Sequence, residues 1–290
     1  MVLATNRNTL QEFHVQSPLT EEASEVIYKL PNLRDLSVVI RKETPLPSAS
    51  LPNLTKLLIR CHNEGGWPQL FRGAKLGKLE SVHFFPISGP IGDFLGVFES
   101  AALSSSIQNT LSTFHITTQW SWDPNYSSLL RFTQLVDLEI GFTCFSGCLS
   151  RVDDDIVIDL SRAMPKLTSL KLGYTPCREP TTGVTAKGLA ALALHCPHLL
   201  HLCIHFQVTS LSAPPASPGI GHNTGPIGSW TDCAIMTFEV GSTRVPKESA
   251  PMVALTLLRI FPRMQCCCFS TDEGWEKVQD TIKKKYRSFK

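Results

Sequence analysis

Three side chains that bind metals or act as nucleophiles alternate in one short stretch, His201-x-Cys203-x-His205, with His195 and His198 just before it. Two imidazoles and a thiolate are a zinc donor set, and a thiol beside an imidazole is the pair used in covalent catalysis. On a strand, however, successive same-face residues stand about 6.6–7 Å apart, which is stretched for three ligands on one zinc. Thiolate catalysis also needs an oriented third group, and a flat strand supplies neither that nor an oxyanion site. A metal-dependent or thiol enzyme at His201, Cys203 and His205 is therefore kept only as an alternative expectation. Asp153-Asp154-Asp155 could gather a cation, but at the start of a helical pattern they read as a solvated first turn favoured by the helix dipole. Gly65-Gly66 and Gly219–Gly228 match no phosphate-binding loop and read as turns. The expectation is a non-enzyme with no catalytic residue, no cofactor and no metal.

The elements that must position these side chains repeat. Thr185–Phe206 reads as a short amphipathic helix, a tight turn at Cys196-Pro197, and a strand patterned on Leu199, Leu202 and Ile204. Aligned on that strand, the chain yields ten repeats whose first apolar residues are Leu10, Leu33, Leu54, Leu79, Leu111, Leu135, Leu167, Leu199, Ile235 and Met264. Each is followed at +3 and +5 by a further core residue, and successive first positions lie 21–36 residues apart. Proline stands two before the first position at Pro31, Pro52, Pro165, Pro197 and Pro262, where it stops a helix and fixes an extended approach to the strand.

Between the strands, helical spacing predicts helices over Glu21–Leu30, Gly92–Ser104, Asp153–Met164, Thr185–Cys196 and Ala250–Phe261. Links such as Arg41–Pro52 are too short for a full helix. Thr117–Ser128 is an aromatic insertion holding Trp120, Trp122 and Tyr126, and Thr209–Ser229, rich in Pro, Gly and Ser, is expected to be a mobile surface loop. Residues 1–271 are expected to form the repeat domain, and 272–290 a capping helix with Trp275, Val278 and Ile282 on one face and a basic tail.

Composition narrows the function classes. Hydrophobic content of 42% with 18% charged residues is ample for a core. A formal net charge of +2 argues against nucleic acid or an anionic membrane as the main partner. The basic end at Lys283-Lys284-Lys285 reads as a solvated helix face. Met1–Gln16 has no apolar segment behind a basic start, and no run approaches the ~18 apolar residues of a membrane span. The 10 cysteines are scattered, several at core positions of the repeat, so a reducing intracellular compartment, cytoplasmic or nuclear, is expected. The sequons at Asn53 and Asn125 are then accidents of composition.

Cys196-Pro-His-Leu-Leu-His-Leu-Cys-Ile204, preceded by G-L-A-A-L-A at Gly188–Ala193, resembles the cysteine-containing class of leucine-rich repeat known chiefly from F-box proteins. Met164–Leu172 repeats the unit without the cysteine, and Ala254–Met264 with Asp272–Val278 resembles the end of fungal F-box-type repeat proteins. The resemblance spans essentially the whole chain. It implies an α/β horseshoe solenoid, with a parallel sheet on its concave face and helices and loops on its convex face. It also implies a substrate-recognition role, in which an F-box helix bundle docks on a ubiquitin-ligase adaptor while the repeats hold a substrate. No F-box pattern or polar-faced cap precedes Leu10, so the adaptor is expected as a partner only where a longer form supplies an F-box. Cys266-Cys267-Cys268 departs from the strand preference for β-branched or larger residues.

Strand parity places the binding surface. With the +3 and +5 residues inward, the positions between them face a partner, including His201, Cys203 and His205. A basic patch of Lys56 and Arg60 with exposed Leu58 and Phe85 then faces an acidic patch of Asp137 and Glu139, accompanied by His83, His115 and Lys171. Mixed charge with a few apolar anchors suits a protein or peptide ligand. The expected partner-binding set is Lys56, Leu58, Arg60, His83, Phe85, His115, Trp120, Trp122, Asp137, Glu139, Lys171, His201 and His205. A stand-alone scaffold or regulator that never meets a ligase is the alternative to the receptor role.

Overall fold

A computed structural model of the chain describes residues 8–27, 29–40, 51–61, 76–86, 107–118, 125–142, 152–173, 183–212, 233, 235–240, 243–264, 267–268 and 272–287. The expected helix at Gly92–Ser104, the link from Arg41, Gly65-Gly66, Gly219–Gly228 and Cys266 lie outside them. The chain divides into two compact units, Met1–Ser146 and Gly147–Lys290. Both are α/β, built on parallel strands that neighbour one another in chain order.

In the first unit the strands are β1 (Glu12–Pro18), β2 (Asp35–Ile40), β3 (Lys56–Cys61), β4 (Ser81–Pro86), β5 (Thr113–Thr118) and β6 (Asp137–Phe142). Helix α1 (Glu21–Ile27) follows β1, and a 3₁₀ turn at Tyr126–Leu129 precedes β6. Every strand begins two residues after a first apolar position of the repeat. The reason is visible in the register: Leu36, Leu57, Val82, Phe114 and Leu138 stand level across the sheet, as do Val38, Ile59, Phe84, Ile116 and Ile140. All ten are almost or wholly buried, and Leu33, Leu54, Leu79, Leu111 and Leu135 before them are completely so. Each layer therefore removes the same apolar column from water, and a slip of one residue would turn every column outward.

One hydrogen-bond device starts nearly every strand. The Arg34 carbonyl accepts from the successive N–H groups of Thr55 and Lys56, both at 2.9 Å, and the Thr55 carbonyl accepts from Glu80 and Ser81 at 2.8 and 2.9 Å. The carbonyls of Gln11, Glu80 and Ser112 do the same in the first unit, and those of Thr168 and Leu200 in the second.

Among the described residues the second unit has shorter strands and more helix: α2 (Asp154–Ala163), β7 (Ser169–Leu172), α3 (Ala186–His195), β8 (His201–Ile204), α4 (Val208–Ser212), β9 (Thr237–Glu239), α5 (Ala250–Ile260), β10 (Cys267–Cys268) and α6 (Glu273–Arg287). Its strands pair β7–β8–β9–β10, all parallel. Proline lies just past the C-caps of α2, α3 and α5 at Pro165, Pro197 and Pro262, in turns where the first apolar N–H of the repeat returns to the carbonyl three residues back. There the ring's fixed φ suits the second turn position.

Two expectations change. Thr209–Ser212 are not loop: they belong to α4, because Leu211 is fully buried and its carbonyl accepts from the Thr256 hydroxyl of α5 at 3.0 Å. The acidic triplet is not merely solvated. Asp153 caps α2 by accepting from the Ile156 N–H at 2.9 Å. Asp154 caps the next helix, accepting from the Thr185 N–H, the Thr185 hydroxyl and the Gly188 N–H at 2.7, 2.6 and 2.9 Å. Gly188 leaves room for this contact, since a Cβ there would lie 2.5 Å from the Asp154 Oδ1 and displace the carboxylate. At the end of the chain, α6 buries Trp275, Val278 and Ile282, and the Trp275 indole donates to the Thr243 carbonyl at 2.6 Å. No helix among the described residues is long and apolar enough to cross a membrane.

Candidate binding face

Alternation along β1–β6 sends one set of side chains to the core and the other to the opposite sheet face. Strand register sorts the latter into levels. One level runs Glu12, Asp35, Lys56, Ser81, Thr113, Asp137, and the next runs His14, Ser37, Leu58, His83, His115, Glu139. A third holds Val39, Arg60 and Phe85 on β2–β4. The face thus gathers eight of the expected partner-binding residues in the first unit: Lys56, Leu58, Arg60, His83, Phe85, His115, Asp137 and Glu139. Lys56 is exposed, and Leu58, Arg60, His83, Phe85, His115, Asp137 and Glu139 are half-buried. Trp120 and Trp122 lie outside the described residues.

Histidine organises the middle level. His14 on β1 reaches diagonally to Asp35 on β2, with Nε2 3.3 Å from Oδ1, and His115 on β5 reaches in the same sense to Asp137 on β6, at 2.9 Å. Between them, His83 Nε2 lies 2.9 Å from the Ser81 hydroxyl, and its ring meets the His115 ring edge-on with centroids 4.5 Å apart. Burial lowers the His83 pKa from the ordinary imidazole value, and the neighbouring His115 lowers it further, against the opposing pull of Asp137, Glu139 and Asp35. A cavity of about 320 Å³ opens on this face over β1–β4, bordered by His14, Asp35, Lys56, Leu58, Arg60, Ser81 and His83 among others.

His14, Asp35 and Ser81 were not in the expected partner-binding set. Their signal is present once the repeats are aligned. Twice a repeat with histidine at +4 (His14, His115) is followed by one with aspartate at +2 (Asp35, Asp137), the spacing that a diagonal across parallel strands requires.

In the second unit, β7–β9 place Lys171, Cys203 and Glu239 level with one another, and Ser169, His201 and Thr237 level with one another. Lys171 and His205 are half-buried and His201 is exposed. Cys203 departs from its expected outward display: only 3% of it is exposed. A small thiol between a lysine and a glutamate on strands about 4.8 Å away is shaded by those longer side chains. Ser37 and Val39, outward by parity, are 8% and 3% exposed for the same reason, between His14 and Leu58 and between Pro18 and Arg60. The set His201, Cys203, His205 is thus not displayed together. Among the described residues, no three His, Cys, Asp or Glu side chains are gathered as a metal would require.

The buried cysteines are packing groups. Burial pushes the Cys196 thiol up to about 12 and the Cys233 thiol up to about 11. Cys196 Sγ donates weakly to the carbonyls of Ser161 and Met164, both at 3.6 Å, and Cys233 to that of Leu199 at 3.9 Å. They join neighbouring repeats and are poor nucleophiles.

No family model matches the sequence, and a search of curated proteins returns no significant match. The class defined by the structure is therefore that of an α/β protein built on parallel strands laid down in chain order, with a polar sheet face in its first unit.

Proposed function

We propose that the chain is a leucine-rich-repeat solenoid that recognises a protein or peptide through the exposed face of its parallel strands, without catalysis. The observation that carries this reading is the face of β1–β6. Six parallel strands, in register through both levels, hold two polar levels of mixed charge beside a cavity of about 320 Å³. Mixed charge with apolar contacts at Leu58 and Phe85 is the make-up of a protein-recognition surface. The recurring apolar columns and the repeated two-donor carbonyl at the strand starts support the repeat reading. Burial of Cys203 speaks against a thiol enzyme. The described free cysteines Cys61, Cys196, Cys203 and Cys233 are all buried, which favours a reducing, intracellular setting.

On the resemblance to F-box repeat proteins, the ligand is a substrate presented for ubiquitin ligation, with an adaptor engaged by an F-box in a longer form. Affinity purification with mass spectrometry, comparing the chain with a Lys56→Glu/Asp137→Lys/Glu139→Lys variant, tests the proposal. Partners lost with the variant are the expected result. Ligase adaptor and cullin retained by both forms mark the receptor role, and their absence from both marks a scaffold. An identical partner set with and without the substitutions would overturn recognition by this face.

A further inference from the structure

We propose that the cavity over β1–β4 is a subsite for one anionic side-chain group, a carboxylate or a phosphate, of an extended peptide whose next charged residue is basic. The proposal rests on the recognition reading above and assigns the chemistry of the ligand. Its basis is the state of the two cations. Lys56 and Arg60 project from the same face of β3 and both border the cavity. Among the described residues, neither has a carboxylate partner. Asp35, the register neighbour of Lys56, instead approaches His14 at 3.3 Å. Two cationic heads beside one concavity, with a neighbouring carboxylate already engaged, attract an oxyanion.

The cavity's size and floor say how much of a ligand enters. About 320 Å³ is at the lower limit of small-molecule pockets and suits one side chain and its immediate backbone. Leu58, between Lys56 and Arg60 on β3, lines the cavity and offers an apolar contact to an aliphatic stem, while Ser81 and His83 add polar groups to the lining.

The rest of the face excludes a polyanion. Asp137 and Glu139 stand on β6, three strands from Lys56, and Glu12 stands on β1 at the opposite side. A phosphodiester backbone laid across these strands would meet carboxylates on both sides of the cavity. A single anion in the cavity avoids them, and a basic residue toward β6 is attracted. Three interstrand steps of about 4.8 Å make about 14 Å, which an extended peptide covers in about four residues.

Fluorescence polarisation with the full chain tests this. Three degenerate decapeptide pools carry Glu, phosphoserine or serine at a fixed position, each with lysine four residues to one side or the other. Both anionic pools, or the phosphoserine pool alone, are expected to bind at least about tenfold more tightly than the serine pool, the equivalent of about 1.4 kcal/mol. A Lys56→Gln/Arg60→Gln variant should lose that preference, and Lys277→Gln on α6 should keep it. Preference for phosphoserine over Glu identifies a phosphorylated residue as the source of the anion, and equal binding identifies any acidic residue. Circular dichroism checks that the double variant folds, and Lys56→Gln alone replaces it if it does not. Equal binding of the three pools, no binding of any pool, or an unchanged preference in the variant overturns the proposal. The recognition reading fails separately. Cellular partners that persist with Lys56→Gln/Arg60→Gln but are lost with Asp137→Lys/Glu139→Lys would leave recognition standing and sink the anion subsite.

Discussion

The two units solve the same problem with different parts. In the first, strands of six or seven residues carry the structure, and a core of full-length apolar columns leaves a broad polar face on the other side. Among the described residues of the second, the strands cover four, four, three and two residues, and helices of ten, ten, eleven and fifteen residues carry much of the burial. Longer strands present more side chains per repeat to a ligand. Longer helices add buried area and cross-repeat caps. On the recognition proposed above, the first unit supplies the binding face and the second a braced helical layer.

The sharpest way to break this assignment is to remove a column from the first unit. Leu138 is fully buried in β6, level with Phe114 on β5. Leu138→Ala deletes its methyl groups from a packed layer, with an expected cost of about 2–5 kcal/mol in urea unfolding. The face it supports includes Asp137 and Glu139 on either side, so ligand binding should weaken together with stability. A variant that unfolds normally and binds normally would show that this column does not support the face.

The braced unit is tested one step down in magnitude. Asp154 accepts three hydrogen bonds from Thr185 and Gly188 at the start of α3, so Asp154→Ala leaves two N–H groups of that helix without their partner. A loss of about 2–3 kcal/mol is expected, read as faster hydrogen exchange at the Thr185 and Gly188 amides. Gly188→Ala should reproduce part of it, about 1–3 kcal/mol, because the new Cβ displaces the carboxylate. Binding of the anionic peptide pools to the first unit should be unchanged in both. Loss of binding in either would mean that the division of labour between the units is wrong.

These residues also mark what could be read before the structure. Nine of the ten strands start two residues after the repeat's first apolar position, because complete burial of that position from Leu33 to Met264 is a signal that composition and spacing carry. A further buried column lies three residues earlier, at Leu51, Leu76, Phe132, Met164, Cys196 and Phe261. Its residue types vary and several close a helix, so the repeat period alone does not expose it. The burial of Cys203 depends on the lengths of Lys171 and Glu239, which lie more than thirty residues away in sequence and meet it only through register. Asp154 was read as solvated because its partners, Thr185 and Gly188, belong to the next repeat. Helix α4 was hidden by a Ser/Thr-rich composition that outweighed one anchoring leucine. Elements with local periodicity were legible, whereas contacts between repeats were not.

The smallest expected effect separates the units by pH. His83 in the first unit and His195 in the second both have lowered pKa values, each caused first by burial, then by the electrostatic effect of a neighbour: His115 for His83 and Arg162 for His195. A folded-state pKa below the unfolded value of about 6.5 means that the unfolded chain binds the proton more readily. The stability each contributes is therefore complete above about pH 6.5 and is lost as pH falls through the lower, folded value. His83→Asn and His195→Asn should each flatten the decline of urea-unfolding stability between about pH 7 and pH 5. The two should differ in shape. The burial that leads at both is deeper at His83, where the edge-on His115 ring lies 4.5 Å away between centroids, partly offset by the pull of Asp137, Glu139 and Asp35. A steeper decline removed by His83→Asn than by His195→Asn is the expected result. Equal slopes would mean that the 4.5 Å approach of the His115 ring adds nothing to the burial that lowers the His83 pKa.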